Sequence, residues 1–383
     1  MESAGPSAPP ATRSRPADAT NAGVLPPDVL FDVLLRLPAK ELCRLRAVCR
    51  SWRALTSGPL FTGAHAAGHP LFLANVRGDR THIRVVDLSG NVVKRIPIPD
   101  GHLLPTSFDL ACAATVRNSC HVLDPATGGV HVLPKSPAAE HVGQEHLHQP
   151  YTSFAFGRID DATGEHKVLR MFSRPYLFGL HQHHLFEVFT IYSGSGSGSS
   201  QPQWRARRSH DEFGSAIVVG EKEEWGGFLP GPISDIFHTD EYDDHLEDYR
   251  CLWIETTLAN LRGSLALVHY RTYRHIMDVW LLKDSDDVLW VKEYTIQIEQ
   301  IEATELCVKS LFMLNDGRLV IHFPKNGMLL IHDPTTNTST QVEMRHLDAV
   351  AMYTGNLLSL QVGDICVVLA CWGSFSVWYR RWC

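Results

Sequence analysis

The chain has 383 residues, 44% of them hydrophobic and 20% charged, with a formal net charge of −7. That length holds one large domain or two ordinary ones, and so mild a negative charge gives no footing for a nucleic-acid partner. No apolar run approaches the roughly 18 residues of a membrane span, so no membrane partner is expected.

Residues 1–23 are rich in Pro, Ala and Ser, and Arg13 and Arg15 precede no apolar signal core. Such a segment cannot bury enough surface to fold, so it is expected as a disordered tail without a secretory signal. Residues 24–67 then read as a small all-α module. Seven of the ten residues from Asp28 to Leu37 are apolar, namely Val29, Leu30, Phe31, Val33, Leu34, Leu35 and Leu37. At about 100° per residue these wrap most of the way round a helix, which must therefore be buried on several faces. Pro26 and Pro27 suit the entry to that helix, Asp28 favours its positive end, and Pro38 stops it. In the next helical pattern Leu42, Leu45, Val48, Cys49 and Trp52 recur three or four apart, with Arg44, Arg46, Arg50 and Arg53 between them. Ser-Gly-Pro at 57–59 breaks it.

From residue 68 to 383 the period changes to two. Runs such as HIRVVDL, HKVLRMF, LFEVFTIY, GSLALVHY, LVIHF and MLLIHDP alternate with turn signals such as SGN, NDG and DPTTN. Their spacing of about 8 to 15 residues suits short antiparallel strands, and no long helical pattern intervenes to make βαβ units. A strand ending in Asp-Pro-x-Thr occurs at 122–134 and again at 330–342, with a looser relative at 158–169, which points to a repeated sheet unit. Roughly 310 residues divided by about 45 per four-stranded blade predict six or seven blades of a β-propeller-like domain, with a β-sandwich as the fallback. Ser/Gly-rich 193–200 and acidic 234–249 are expected as loops.

The stretch Leu25–Trp52 resembles the F-box motif. Leu25-Pro26, a short helix, Arg36-Leu37-Pro38, Lys40-Glu41-Leu42 and Arg46-x-Val48-Cys49-Arg50-x-Trp52 follow one another without a gap. The remainder resembles the F-box-associated β domain of large plant families, through residues 153–172, 186–205, 263–294 and 314–336. The resemblance implies a substrate-receptor subunit of a Skp–cullin–F-box ubiquitin ligase. Its F-box would dock a Skp-type adaptor, and through it a cullin–RING ligase, while the β domain binds a target protein that the sequence does not identify. Carried over residue by residue, the adaptor surface comprises Leu25, Pro26, Leu30, Leu34, Leu37, Pro38, Leu42, Val48, Cys49 and Trp52. Forty residues cannot bury enough apolar surface to stand alone, so a partner groove is a natural missing wall.

Nothing in the sequence supports catalysis or a cofactor. His-rich stretches at 140–148 and 181–184 offer ligands at short spacing, but no HExxH or cysteine pair completes a metal site. Cys49 has no evident His or Asp partner. The nine cysteines lack any CxxC pair and read as free thiols of a reducing compartment, cytoplasm or nucleus. The tryptophans Trp204, Trp225, Trp253, Trp280, Trp290 and Trp372 are expected mostly as wedges between blades. A propeller enzyme or a carbohydrate or small-ligand binder with a degenerate helix pair is the alternative reading. An F-box scaffold working outside a ligase is a third.

Overall fold

Prolines set the helix boundaries in the computed structural model of the chain. It describes residues 25–115, 119–143, 151–160, 165–173, 184–191, 203–207, 256–271, 274–284, 287, 289–298, 308–342, 344 and 346–358. Helix α1 (Pro27–Leu35) opens with proline in its first turn, where no backbone donor is lost, and ends before Pro38. Helix α2 (Ala39–Leu45) starts directly after that proline. Helix α3 (Arg50–Ser57) is halted by Gly58, and Pro59 opens α4 (Pro59–Gly68). The tail 1–23 and the loops expected at 193–200 and 234–249 lie outside the described residues.

Every sheet beyond residue 70 is built from short strands. The first contains β1 (Leu71–Val76), β2 (Asp79–Asp87) and β3 (Val92–Pro97). Strand β4 (His102–Leu103) opens the second sheet, whereas β5 (Ser107–Phe108) returns to the first. The second continues with β6 (Ala111–Ala114), β7 (Cys120–Leu123) and β8 (Val130–Val132). The third is β9 (Tyr151–Asp160), β10 (Glu165–Ser173), β11 (His184–Ile191) and β12 (Arg205–Arg207). The fourth is β13 (Thr256–Leu261), β14 (Ser264–Arg271), β15 (Ile276–Asp284) and β16 (Leu289–Gln297). The fifth is β17 (Ser310–Met313), β18 (Leu319–Phe323), β19 (Met328–Asp333) and β20 (Thr338–Gln341). Strand β21 (Leu347–Tyr353) then goes back to the first sheet, giving the order β3-β2-β1-β21-β5.

At four seams among the described residues, neighbouring sheets pack face to face because the period-two pattern puts an apolar residue on each face. Val268 and Tyr270 of the fourth sheet meet Ile321 and Phe323 of the fifth. Val320 and Ile331 of the fifth meet Phe72 and Val350 of the first. Ile83 and Ile96 meet Leu103 and Leu123 of the second, and Cys112 and Val122 meet Phe156 and Phe189 of the third. Each such side chain contributes roughly 1.5–3 kcal/mol when fully buried. The arrangement is β-propeller-like, with five blades among the described residues rather than six or seven, and it is not a two-sheet sandwich. Dividing by a uniform blade length counted 208–255 and 359–383, which lie outside the described residues. It also ignored that β21 completes a blade begun at residue 71.

The Asp-Pro-x-Thr elements are turns closed by their own aspartates. Asp124 accepts from the Ala126 amide at 2.9 Å and the Thr127 hydroxyl at 2.8 Å, and Asp333 accepts from the Thr335 amide at 2.8 Å. Lys94 of β3 donates to the carbonyls of Pro125 (2.9 Å) and Ala126 (2.7 Å), tying the first blade to the turn of the second.

Charge is buried in the third blade. Arg170 and Glu187 lie opposite each other on β10 and β11, their side chains 1% and 0% exposed. Arg170 Nε donates to Glu187 Oε2 at 2.9 Å, and its other nitrogens donate to the carbonyls of Lys135 (3.2 Å) and Ser136 (3.0 Å). The second carboxylate oxygen accepts from the Ala138 amide (2.8 Å) and from His141 Nδ1 (2.9 Å). Trp204 donates to the Pro134 carbonyl at 2.7 Å with the Arg170 guanidinium 4.1 Å above its ring, so it fills the wedge expected of it. Trp280 is buried and packs with Leu267, Leu258 and Trp290 on the fourth sheet. Trp225, Trp253 and Trp372 lie outside the described residues.

Two expected outcomes follow from this polar interior. Glu187→Ala leaves Arg170 buried and unpaired, and should lower unfolding free energy by about 3–5 kcal/mol in chemical denaturation. Burial, reinforced by the Lys309 charge, lowers the His322 pKa to about 3, and burial lowers that of His269 to about 4. The folded state therefore binds fewer protons than the unfolded chain below about pH 6.5, so stability falls as pH drops. The loss should approach about 1.4 kcal/mol per pH unit for each histidine until its folded-state pKa is reached. His322→Phe should flatten that slope in pH-dependent denaturation.

Candidate functional site: the N-terminal helical module

Leu34, Leu42 and Phe61 are each at most 1% exposed and form the centre of the helical module. Leu30, Phe31, Leu35, Leu37, Leu45, Trp52 and Leu55 pack around them. The Phe31 ring meets Phe61 edge-on at 5.1 Å between centroids. A fourth fully buried member, Leu358, comes from beyond β21. The helix apolar on several faces is thus walled on one side by α4 and on another by a residue of the β domain.

Polar groups close the ends of the helices. His65 Nε2 donates to the Leu37 carbonyl at 2.9 Å, and His69 Nε2 donates to the Leu35 carbonyl at 2.8 Å. Both acceptors belong to the C-terminal turn of α1 and its extension, where carbonyls lack intrahelical donors. The two imidazoles stack at 4.5 Å, and burial pushes the His65 pKa below its ordinary value. Arg46 is 6% exposed and donates to the Thr56 carbonyl at 2.7 Å and the Thr56 hydroxyl at 3.2 Å. It is an internal strut across the α2–α3 corner. Arg44 is exposed and paired with Glu41 at 2.8 Å, whereas Arg50 and Arg53 are exposed on α3.

The ten residues proposed for the adaptor surface separate into three groups. Leu34 and Leu42 lie wholly inside the module, because one face of each helix must fill the small core before anything reaches a partner. Leu30, Leu37 and Trp52 are half-buried at its edge. Leu25, Pro26, Pro38, Val48 and Cys49 are exposed, Leu25 to 51% and Val48 to 62%. Cys49 precedes α3 with its Sγ 3.0 Å from the Ser51 hydroxyl, and that hydrogen bond lowers the thiol pKa.

The structure adds two residues to the exposed group. Val29 and Val33 stand one turn apart on α1, 45% and 46% exposed. Their i, i+4 spacing was the signal available for finding them. Water-facing valines beside exposed Asp28 and Asp32, on a helix whose opposite side is packed, form an unsatisfied apolar patch of the kind that marks a docking surface.

Among the described residues no three His, Cys, Asp or Glu side chains converge. Of the His-rich stretches, His141 is committed to Glu187. Residues 144–150 and 181–183 lie outside the described residues.

Comparison with known proteins bears on this module and on the whole chain. Residues 22–62 match the family model described as F-box-like. An F-box/kelch-repeat protein of Arabidopsis thaliana is 24% identical over 355 residues, covering 82% of this chain and 91% of the relative. An F-box protein of the same plant is 24% identical over 373 residues, covering 81% and 85%. Among solved structures, the dihydro-heme d1 dehydrogenase NirN aligns with a TM-score of 0.34 at 10% identity over 75% of each chain, a likeness too distant to carry weight.

The division between core and surface is measurable. Leu34→Ala should destabilise the module by about 2–5 kcal/mol, whereas Val33→Ala should change stability by no more than about 0.5 kcal/mol. Thermal denaturation of the two variants checks both.

Proposed function

We propose, on the premise that this chain is a plant-type F-box protein, that it serves as the substrate-receptor subunit of a Skp–cullin–F-box ubiquitin ligase. The helical module docks a Skp-type adaptor and the β domain holds a target protein. The observation that carries the reading is the exposed pair Val29 and Val33 on α1, with exposed Leu25 just before the helix, on a module whose own core is already filled. Its contact set is Leu25, Pro26, Val29, Val33, Pro38, Val48 and Cys49, edged by Leu30, Leu37 and Trp52. Leu34 and Leu42 hold the helices that present it.

The role is non-catalytic. Asp348 Oδ2 of β21 lies 3.1 Å from His102 Nδ1 of β4, and His102 Nε2 accepts from Lys309, just before β17, at 2.9 Å. Lys309 also donates to the Asp348 carbonyl at 3.2 Å. These groups are spent on joining the first, second and fifth blades, which disfavours an enzyme or small-ligand reading. Cys43, Cys49, Cys112 and Cys120 are free thiols, in keeping with action in the cytoplasm or nucleus.

Purified chain should bind a Skp-type adaptor in calorimetry. The double variant Val29→Asp/Val33→Asp should weaken binding by about a hundredfold or more while leaving the circular dichroism spectrum unchanged. Failure of the folded wild-type chain to bind the adaptor would sink this reading.

A further inference from the structure

Leu358 is 1% exposed and packs with Leu34, Leu42 and Phe61, although some three hundred residues separate it from them in sequence. Its neighbour Leu357 packs instead against the core between the first and second blades. Asn356 donates from Nδ2 to the Thr62 carbonyl on α4, while its Oδ1 accepts from the Leu358 amide at 2.6 Å. Three consecutive residues thus reach both the helical module and the ring.

They leave the ring at a particular place. Tyr353, the last residue of β21, pairs with Leu71, the first residue of β1. Only His69 and Pro70 separate Leu71 from the end of α4. The covalent joint and the segment 354–358 therefore depart side by side from the same end of the first blade. A two-residue joint alone would swivel. Thr62 lies seven residues before His69, about 10 Å along the helix. A second attachment at that distance fixes the angle of α4, and α4 in turn holds α1 through His65 and His69.

We propose that Asn356–Leu358 is a clasp by which completion of the first blade also completes the helical core and sets the orientation of the adaptor-facing valines. The clasp is carried by β21, the strand that completes the first blade, so a chain in which β21 has not paired with β1 lacks one wall of the helical core. Docking to the adaptor is thereby conditional on a completed first blade, and the target and adaptor surfaces are held at one relative angle. Gly355 makes the route possible: a Cβ there would lie 2.6 Å from the ring of Tyr353, which is only 4% exposed and has no room to yield.

The functional half of this proposal rests on the adaptor reading above, and its structural half does not. Hydrogen exchange should be followed by mass spectrometry on the full chain, on Leu358→Ala and Gly355→Ala, and on Leu60→Ala as a control at an exposed site of α4. The clasp variants should speed exchange of α1 and α4 amides by about tenfold or more, with β2 and β18 amides unchanged. Helices as protected as in wild type would overturn the proposal, as would equal loosening of helices and sheets in both variants. Calorimetry with the adaptor supplies the second arm, where both clasp variants should bind at least about tenfold more weakly than wild type and Leu60→Ala less so. Loosened helices with undiminished adaptor affinity would overturn the conditional-docking claim. Absence of binding by wild type would instead remove the adaptor reading, while the exchange data still judge the clasp.

Discussion

The antiparallel pairing of β1 with β21 is the contact on which the rest of the molecule depends. Leu71 to Val76 align with Tyr353 back to Leu347, with one irregularity at Asn75 and Val76. Residues at opposite ends of the β domain share one blade, so the first blade exists only when the chain has returned. Loop closure over such a separation costs conformational entropy that local contacts do not repay until the pairing forms. Several interactions reinforce it. The Arg77 amide donates to the His346 carbonyl at 2.7 Å, and its guanidinium donates to the Pro324 carbonyl at 2.8 Å. Gly327 passes so close to His346 that a Cβ would sit 2.5 Å from its Cα, and its φ of 62° suits glycine.

The helical module shows how a short segment divides its apolar residues. One set, Leu34, Leu42 and Phe61, is spent on holding four short helices together. Another, Leu25, Val29, Val33 and Val48, is left facing water. None of the four helices exceeds ten residues, so intrinsic propensity contributes little and tertiary packing decides their stability. That is why a single leucine from the far end of the chain matters to them. His65 of α4, His69 just after it and buried Arg46 add the backbone caps that such short helices lack.

Between blades the structure mixes apolar wedges with fully bonded charge. The Arg170–Glu187 pair bonds the backbone of the 135–138 segment and His141, so its members hold a loop against the third blade. Replacing water around two charges with fixed partners is costly unless every polar atom is matched, and here the matching is dense. Such a pair is a device for fixing one arrangement of neighbouring segments. The Asp348–His102–Lys309 bonds tie β21, β4 and the residue before β17 in the same manner.

The switch from period 3.6 to period 2 near residue 70, the proline and glycine boundaries of the helices, and the Asp-Pro-x-Thr turns were all legible in the chain before folding. Each is a local matter of backbone geometry or of side chains reaching two or three residues along the chain. The resemblance of Leu25–Trp52 to the F-box motif was legible too, because an order of Leu-Pro, Arg-Leu-Pro and Val-Cys-Arg-x-Trp needs no folding to be read. Only the tertiary structure decided the five blades among the described residues, since a uniform repeat length cannot reveal that residues 347–353 complete a blade begun at 71. Only it sorted the apolar residues of α1, placing Leu34 inside and Val29 and Val33 outside, because periodicity shows that a helix is buried on several faces but not by what. The partner for one of those faces, Leu358, was invisible for the same reason: contact across some three hundred residues depends on how the ring closes, and no local pattern encodes it.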